Sequence, residues 1–93
     1  MILALALLHH LRIGNNVPFE LISNYFSEMT GNLIIEYIPK EDNNVKLMMT
    51  GRENFFTDYS EENFVSAFEK YFSVNERQVL PGSGRILYLM TKK

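Results

Sequence analysis

The stretch LALALLHHL, residues 3–11, decides how the rest of the chain is interpreted. Every residue from Ile2 to Leu8 is apolar, and the run stops at two adjacent histidines, His9 and His10. An apolar run of this length that ends in a polar loop is typical of a strand covered on both faces of a sheet, although its alanines and leucines also have good helix propensity. We expect a strand over this run, with the histidines at its carboxyl end.

The same run does not have the features of a leader peptide or a membrane span. No lysine or arginine precedes Ile2, and no small-residue cleavage site follows the run. A transmembrane helix also requires roughly 20 apolar residues, more than this run contains. We therefore expect neither a leader nor any contact with a membrane.

The composition predicts one globular domain over residues 1–93. Hydrophobic residues make up 46% of the chain and charged residues 22%, which is ordinary for a globular protein. The net charge of -2 and four scattered arginines provide no patch for a phosphate backbone, so we do not expect a nucleic-acid partner. The chain has no cysteine, which excludes disulfides and thiolate metal sites and is compatible with the cytoplasm, where we expect the protein.

The residues after the first run predict a parallel strand pair. Phe19, Ile22, Phe26 and Met29 recur at spacings of three and four, which predicts an amphipathic helix after Pro18. The stretch LIIEYI, residues 33–38, then predicts a second strand that Pro39 stops. Two apolar strands that enclose a helix are typical of a right-handed βαβ crossover.

The second half of the chain predicts two helices and a hairpin. Asp42 is suited to cap a short helix through Met49, and Ser60 with two following glutamates is a good start for another. We assign the aromatic stripe of this last helix to the core. The stripe runs from Phe64 to Phe72. The two hairpin strands are Ser73–Leu80 and Arg85–Thr91, and the turn between them is Pro81–Gly84.

The order strand, helix, strand, two helices and hairpin resembles the C-terminal half of a class I S-adenosylmethionine-dependent methyltransferase. In that Rossmann-like α/β family the sheet runs 3-2-1-4-5-7-6, and the seventh strand is antiparallel. LALALLHHL, LIIEYIPKED and the hairpin PGSGRILYLM match its fourth to seventh strands, so the resemblance covers nearly the whole chain. It implies two parallel strands with a closing antiparallel hairpin, flanked by helices, with the last strand beside the second.

The resemblance also implies that the cofactor site is missing. In the family, S-adenosylmethionine is held by a Gly-rich turn and an acid that follow the first two strands. The Gly82-Ser83-Gly84 stretch leads into a strand rather than a helix, so this chain contains no such turn. We expect a fragment with no cofactor-binding residues and no activity of its own, whose intact parent methylates a small molecule or a protein.

The expected site lies outside the carboxyl ends of the first two strands. His9 and His10 are the candidate catalytic residues, because a histidine there orients an acceptor or takes its proton. The alternative is that one histidine merely bonds a loop carbonyl. Leu11, Glu36 and Lys40 are the substrate-binding candidates, and Glu36 needs an acceptor amine, a backbone group or Lys40 as its partner. We expect no metal, because adjacent histidines in a strand point to opposite sides.

Two further expectations concern assembly. The alternative to a methyltransferase fragment is a non-enzymatic ferredoxin-like α/β module for binding or dimerisation, whose sheet is wholly antiparallel. In the methyltransferase interpretation, Ile2 to Leu8 form a bare apolar edge without lysine, proline or bulge. We therefore expect a homo-oligomer that is joined through the first strand.

Overall fold

The computed structural model describes residues 1–93, except for the side chain of Glu53. A π-helical turn, His10–Gly14, follows the first strand, and a 3-10 turn, Glu53–Phe55, follows the second helix. The strands and helices are, in chain order, β1 (Ile2–Ala4), α1 (Phe19–Met29), β2 (Asn32–Tyr37), α2 (Asn43–Met49), α3 (Glu61–Phe68), β3 (Phe72–Val79) and β4 (Ile86–Lys92).

The four strands form one mixed sheet in the order β1-β2-β4-β3. β1 and β2 are parallel, with Leu3 opposite Ile34, whereas β4 is antiparallel to both β2 and β3. The expected parallel pair, closing hairpin and position of the last strand beside the second are confirmed. This is not the wholly antiparallel sheet that the ferredoxin-like alternative requires.

The core lies between one face of the sheet and the helices α1 and α3. Alternate residues of the strands, among them Leu33, Ile35 and Met90, point toward these helices and are fully buried. The ring centroid of Phe64 lies 5.9 Å from that of Phe19 and 5.4 Å from that of Tyr37, which joins both helices to the sheet. The assignment of the aromatic residues to the core is therefore confirmed.

The other face of the sheet carries a row of apolar side chains that are partly open to solvent. Leu3, Ile34 and Leu89 lie opposite one another on three neighbouring strands and therefore share this face. Leu3 is 61% exposed. The expectation that the first strand is covered on both faces is wrong.

The first strand is also much shorter than the sequence predicts. It ends at Ala4, Ala6 has a positive φ of 53°, and the chain becomes helical at Leu8. The prediction of a strand through LALALLHHL is wrong because two effects favour a helical turn there. Alanine and leucine favour a helix, and the turn buries Leu8 and Ile13 completely in the core.

The last helix is likewise shorter than predicted. α3 ends at Phe68, whereas the aromatic stripe predicted a helix through Phe72. Phe72 instead opens β3, opposite Lys92, and is still fully buried. The Phe72 ring fills its place in the core from a strand as well as from a helix, so the spacing of aromatic residues does not distinguish the two conformations.

Local signals for helix starts and for the hairpin are confirmed. The Asp42 carboxylate accepts a hydrogen bond from the Asn44 N–H at 2.9 Å, and the Ser60 hydroxyl accepts one from the Asn63 N–H at 3.1 Å. Gly82 in the hairpin turn has a φ of 81°, a conformation that glycine adopts without steric cost. No helix in the described chain has both the length and the apolar character needed to cross a membrane.

Candidate functional site

The candidate site lies at the carboxyl ends of β1 and β2, which meet at one edge of the sheet because the two strands are parallel. The segment after β1 carries His9 and His10, and the segment after β2 is the loop 38–42. Arg85, immediately before β4, lies next to both. These three pieces of chain build a polar cluster that we call the strand-end cluster: His9, His10, Glu36, Asp42 and Arg85.

Glu36 anchors the segment after β1. Its side chain is almost completely buried, and its Oε1 accepts a hydrogen bond from the Ala6 N–H at 2.9 Å. Nη1 of Arg85 lies 3.9 Å from the same oxygen. Of the partners that the sequence left open for Glu36, the structure selects a backbone group, and the nearby cation is Arg85 rather than Lys40.

Arg85 links Glu36 to Asp42. Its Nη2 donates a hydrogen bond to Oδ2 of Asp42 at 3.4 Å, so the guanidinium lies between the carboxylate of Glu36 in β2 and that of Asp42 at the end of the following loop. Burial alone would raise the pKa of Asp42, but hydrogen bonds from the Asn44 N–H and from Arg85 hold that pKa below its ordinary value. Asp42 is therefore a carboxylate at neutral pH.

The two histidines differ in exposure. His9 is buried, at 3% exposed, and its Nδ1 has no hydrogen-bond partner among the groups that the structure describes. His10 is exposed, and its ring centroid lies 4.3 Å from that of His9. Burial, followed by His10, lowers the pKa of His9, and Arg85 adds to this effect while Asp42 opposes it. His9 is consequently neutral at pH 7, and His10 is the histidine that a ligand reaches.

The position of the histidines corrects one premise of the sequence interpretation. They lie in a helical turn and not in a strand, so their rings lie side by side, with an interplanar angle of 37°, rather than pointing to opposite sides. Within the described side chains, no group of three or more His, Cys, Asp or Glu residues is arranged to hold a metal ion.

The two remaining candidates lie outside the strand-end cluster. Leu11 is half-buried and packs against the hydrophobic core. Lys40 is exposed and lines two neighbouring cavities of about 470 and about 310 Å³. In the part of the chain that is described, His9 and His10 are not among the residues that line these two cavities.

Sequence reasoning missed Arg85 and treated Asp42 only as a helix cap. The two residues are 43 positions apart, so their contact is set by the hairpin folding back against β2. The sequence contained one indication of the contact between Glu36 and Arg85. A buried Glu36 requires a charged or polar partner, and Arg85 is a cation at the start of the last predicted strand.

A longer protein contains a segment similar to this chain. It is the nodulation protein NoeA of Rhizobium meliloti (strain 1021). The two sequences are 44% identical over 87 residues, which is 94% of this chain and 18% of NoeA. The chain therefore spans less than a fifth of the length of this relative. No family model matches the chain, and no solved structure matches it either.

Proposed function

We propose that this chain is part of an S-adenosylmethionine-dependent methyltransferase and forms the acceptor side of its catalytic domain. The observation that carries the proposal is the strand order β1-β2-β4-β3, in which an antiparallel last strand lies between the second and third strands. The family's fourth to seventh strands have the same order and directions. Mixed sheets commonly carry an antiparallel strand at an edge, whereas β4 lies inside the sheet, between two strands that are parallel to each other.

The match to NoeA is compatible with a piece of a larger catalytic unit. The similar segment occupies 18% of NoeA, so a chain of this kind exists within a protein several times its length. The residues that this chain lacks for a complete methyltransferase domain would then come from elsewhere in a longer protein.

The residues of this chain do not fit S-adenosylmethionine by themselves. Among the described residues, the positive-φ glycines are Gly51, Gly82 and Gly84, and none of them lies in a turn that joins a strand to a following helix. Such a turn is what lets a backbone approach the cofactor closely. Binding of the cofactor is therefore assigned to residues outside this chain. We place the enzyme in the cytoplasm, with which a chain without cysteine is compatible.

Within this proposal the strand-end cluster faces the methyl acceptor. His10 is the candidate that accepts a proton from the acceptor or orients it, because it is exposed and lies at the carboxyl edge of the parallel strands. His9 positions His10 by packing against its ring. Glu36 holds the backbone of the same segment through Ala6, while Leu11 and Lys40 remain substrate-binding candidates.

The first test measures cofactor binding by calorimetry in three proteins. Full-length NoeA, and a chimera in which this chain replaces the matching segment of NoeA, should bind S-adenosylmethionine with micromolar affinity. The isolated chain should show no binding at the same concentrations. No binding by full-length NoeA, or micromolar binding by the isolated chain, would overturn the proposal and favour a non-enzymatic binding or dimerisation module.

The second test measures methyl transfer by the chimera after a substitution in the histidine pair. His10→Ala should lower the rate of S-adenosylhomocysteine formation about 100-fold or more, since general acid–base groups contribute at least that much. Asn15→Ala is the matched control, because Asn15 is exposed just after the same turn. A lower melting temperature with an unchanged rate per folded molecule would show that His10 has only a structural role.

A further inference from the structure

A cavity of about 310 Å³ lies on the core side of the sheet, where the end of β2, the start of α3 and the start of β4 meet. It is separate from the strand-end cluster, because Glu36 and Tyr37 are neighbours in β2 and point to opposite faces of the sheet. Its polar wall is formed by Tyr37, Lys40, Glu41 and Glu61. Among its lining residues, Lys40 alone has a role in the proposed methyltransferase chemistry, as a substrate-binding candidate.

The hydroxyl of Tyr37 has no partner within the described chain. The residue is only 3% exposed, and its ring is fixed by stacking with the rings of Tyr59 and Phe64, whose centroids lie 5.5 and 5.4 Å away. The other two core tyrosine hydroxyls are satisfied, since Tyr59 donates to the Ile38 carbonyl and Tyr88 to Glu61. For Tyr37 only burial and neighbouring charges act on the phenol, and no hydrogen bond does.

The surroundings of this hydroxyl place it at the cavity wall. Burial raises the pKa of Tyr37, and the carboxylates of Glu41 and Glu61, which line the same cavity, raise it further. The phenol therefore stays protonated and neutral at every physiological pH. Although the Tyr37 ring is buried, its hydroxyl oxygen is not sealed in the core, so it opens onto the cavity and is free to bond a ligand there.

The two carboxylates of the cavity differ in their ion-pair partners. Glu61 is held by Arg77, with Nε–Oε2 and Nη2–Oε1 distances of 2.7 and 3.2 Å, and it also accepts a hydrogen bond from Tyr88. Glu41 is exposed, and none of the described cations lies within salt-bridge distance of it. Lys40 lines the same cavity but forms no salt bridge with either carboxylate, so the Glu41 carboxylate keeps its capacity to accept hydrogen bonds beside Tyr37.

We propose that this cavity binds a small protonated amine, whose ammonium donates hydrogen bonds to the Glu41 carboxylate and the Tyr37 hydroxyl. An ammonium has three donors and no acceptor, which matches a carboxylate and a phenol oxygen that both have accepting capacity. Lys40 also lines the cavity and attracts anions, so the comparison of ethanolamine with glycolate decides which charge the cavity binds. This proposal does not depend on methyl transfer, and its test requires no S-adenosylmethionine.

The experiment is an NMR titration of the full chain with three probes of similar size and different charge. Ethanolamine should produce saturable amide shifts at residues 37–41 and 59–61, and ethylene glycol should bind at least about fivefold more weakly, since a charged hydrogen bond adds at least 1 kcal/mol. Glycolate should produce no saturable shift there. Equal shifts with ethanolamine and glycolate, or no saturable shift with ethanolamine, would overturn the proposal.

Substitutions then assign the contacts. Tyr37→Phe should weaken ethanolamine binding about fivefold while leaving the melting temperature nearly unchanged, because the ring stays and the hydroxyl holds nothing in the protein. Glu41→Gln should weaken it about tenfold, whereas Glu62→Gln, an exposed glutamate of α3 outside this cavity, should leave it unchanged. Unchanged binding in a folded Tyr37→Phe variant, or equal losses in the Glu41 and Glu62 variants, would contradict the assignment.

Discussion

At the scale of single residues, His9 makes the stability of the protein depend on pH. Its pKa in the folded protein is below the ordinary value of 6.5, because the side chain is buried and lies beside His10 and Arg85. The unfolded chain therefore binds a proton more readily than the folded one as the pH falls through 6.5. The contribution of His9 to stability is complete above about pH 7.5 and is lost on acidification toward its folded pKa.

We predict that the free energy of unfolding falls between pH 7.5 and pH 5.5, by at most about 1.4 kcal/mol per pH unit for one proton. Urea unfolding at both pH values measures this difference. In His9→Gln the difference should shrink, whereas His10→Gln should retain most of it because burial, the largest cause of the lowered His9 pKa, is unchanged. Equal pH dependence in the wild type and the His9 variant would show that another group is responsible.

Glu36 is a second residue whose replacement should change the stability of the protein. We predict that Glu36→Ala lowers the free energy of unfolding by about 1–3 kcal/mol, because the Ala6 N–H loses its buried acceptor and Arg85 loses a neighbouring carboxylate. Glu36→Gln keeps an acceptor oxygen and should cost less. Urea unfolding distinguishes these variants from the control Glu28→Ala, an exposed glutamate of α1 whose loss should stay within about 0.5 kcal/mol.

At the scale of secondary-structure elements, α3 depends on its cap. The Ser60 hydroxyl accepts the Asn63 N–H, and the acids that follow, Glu61 and Glu62, lie at the positive end of the helix dipole. Because α3 buries Phe64 and Phe68 in the centre of the core, fraying at its start loosens the core as well.

We predict that Ser60→Ala costs about 1 kcal/mol and lowers the melting temperature by about 4–8 °C, as expected for a domain of this size. Ser66→Ala is the matched control, since Ser66 lies in the same helix and is exposed. That control should be neutral or slightly stabilising, because alanine has the higher helix propensity. Equal effects of the two substitutions would mean that the cap does not stabilise α3.

At the scale of the whole molecule, the sheet ends at β1, and its outer edge and face are apolar. Leu3, Leu5 and Leu7 are 61%, 49% and 38% exposed, and residues 1–8 carry no charged side chain. Two copies are therefore able to approach along this edge without charge repulsion. Because β1 has only three residues, most of the association energy has to come from the leucines rather than from backbone pairing.

For this chain on its own we predict a homodimer, or a higher assembly, that is joined through the first strand with a two-fold axis. Sedimentation at micromolar concentration should show it, and Leu5→Lys should convert it to a monomer. Leu47→Lys is the matched control, because Leu47 is 74% exposed on α2, away from β1, and its replacement should leave the assembly intact. A wild-type monomer, or an assembly that Leu5→Lys leaves unchanged, would refute the prediction.

The candidate site could be predicted from the sequence only in part. The carboxyl ends of the parallel strands, with both histidines and Glu36, follow from the order strand, helix, strand. The contact between the two histidine rings, and the link from Glu36 through Arg85 to Asp42, do not follow from it. They depend on a hairpin that returns a residue 43 positions from Asp42 to the end of β2.

The sequence by itself determined the features that rest on neighbouring residues and on strong periodicity. The spacing of Phe19, Ile22 and Phe26 specifies α1, the hydroxyl of Ser60 starts α3, and Gly82 allows the turn between β3 and β4. The antiparallel pairing of β3 with β4 followed from their short turn, whereas the helix between β1 and β2 favoured a parallel pair without excluding a wholly antiparallel sheet.

Only the tertiary structure decided where elements end when a residue is equally suited to two conformations. The leucines after Ala4 fit a strand or a helix, and burial of Leu8 and Ile13 together with the bond from Ala6 to Glu36 selects the helical turn. Phe72 fits the core from either conformation, and pairing with Lys92 places it in β3. In both cases the local free-energy difference is small, so contacts between distant parts of the chain determine the result.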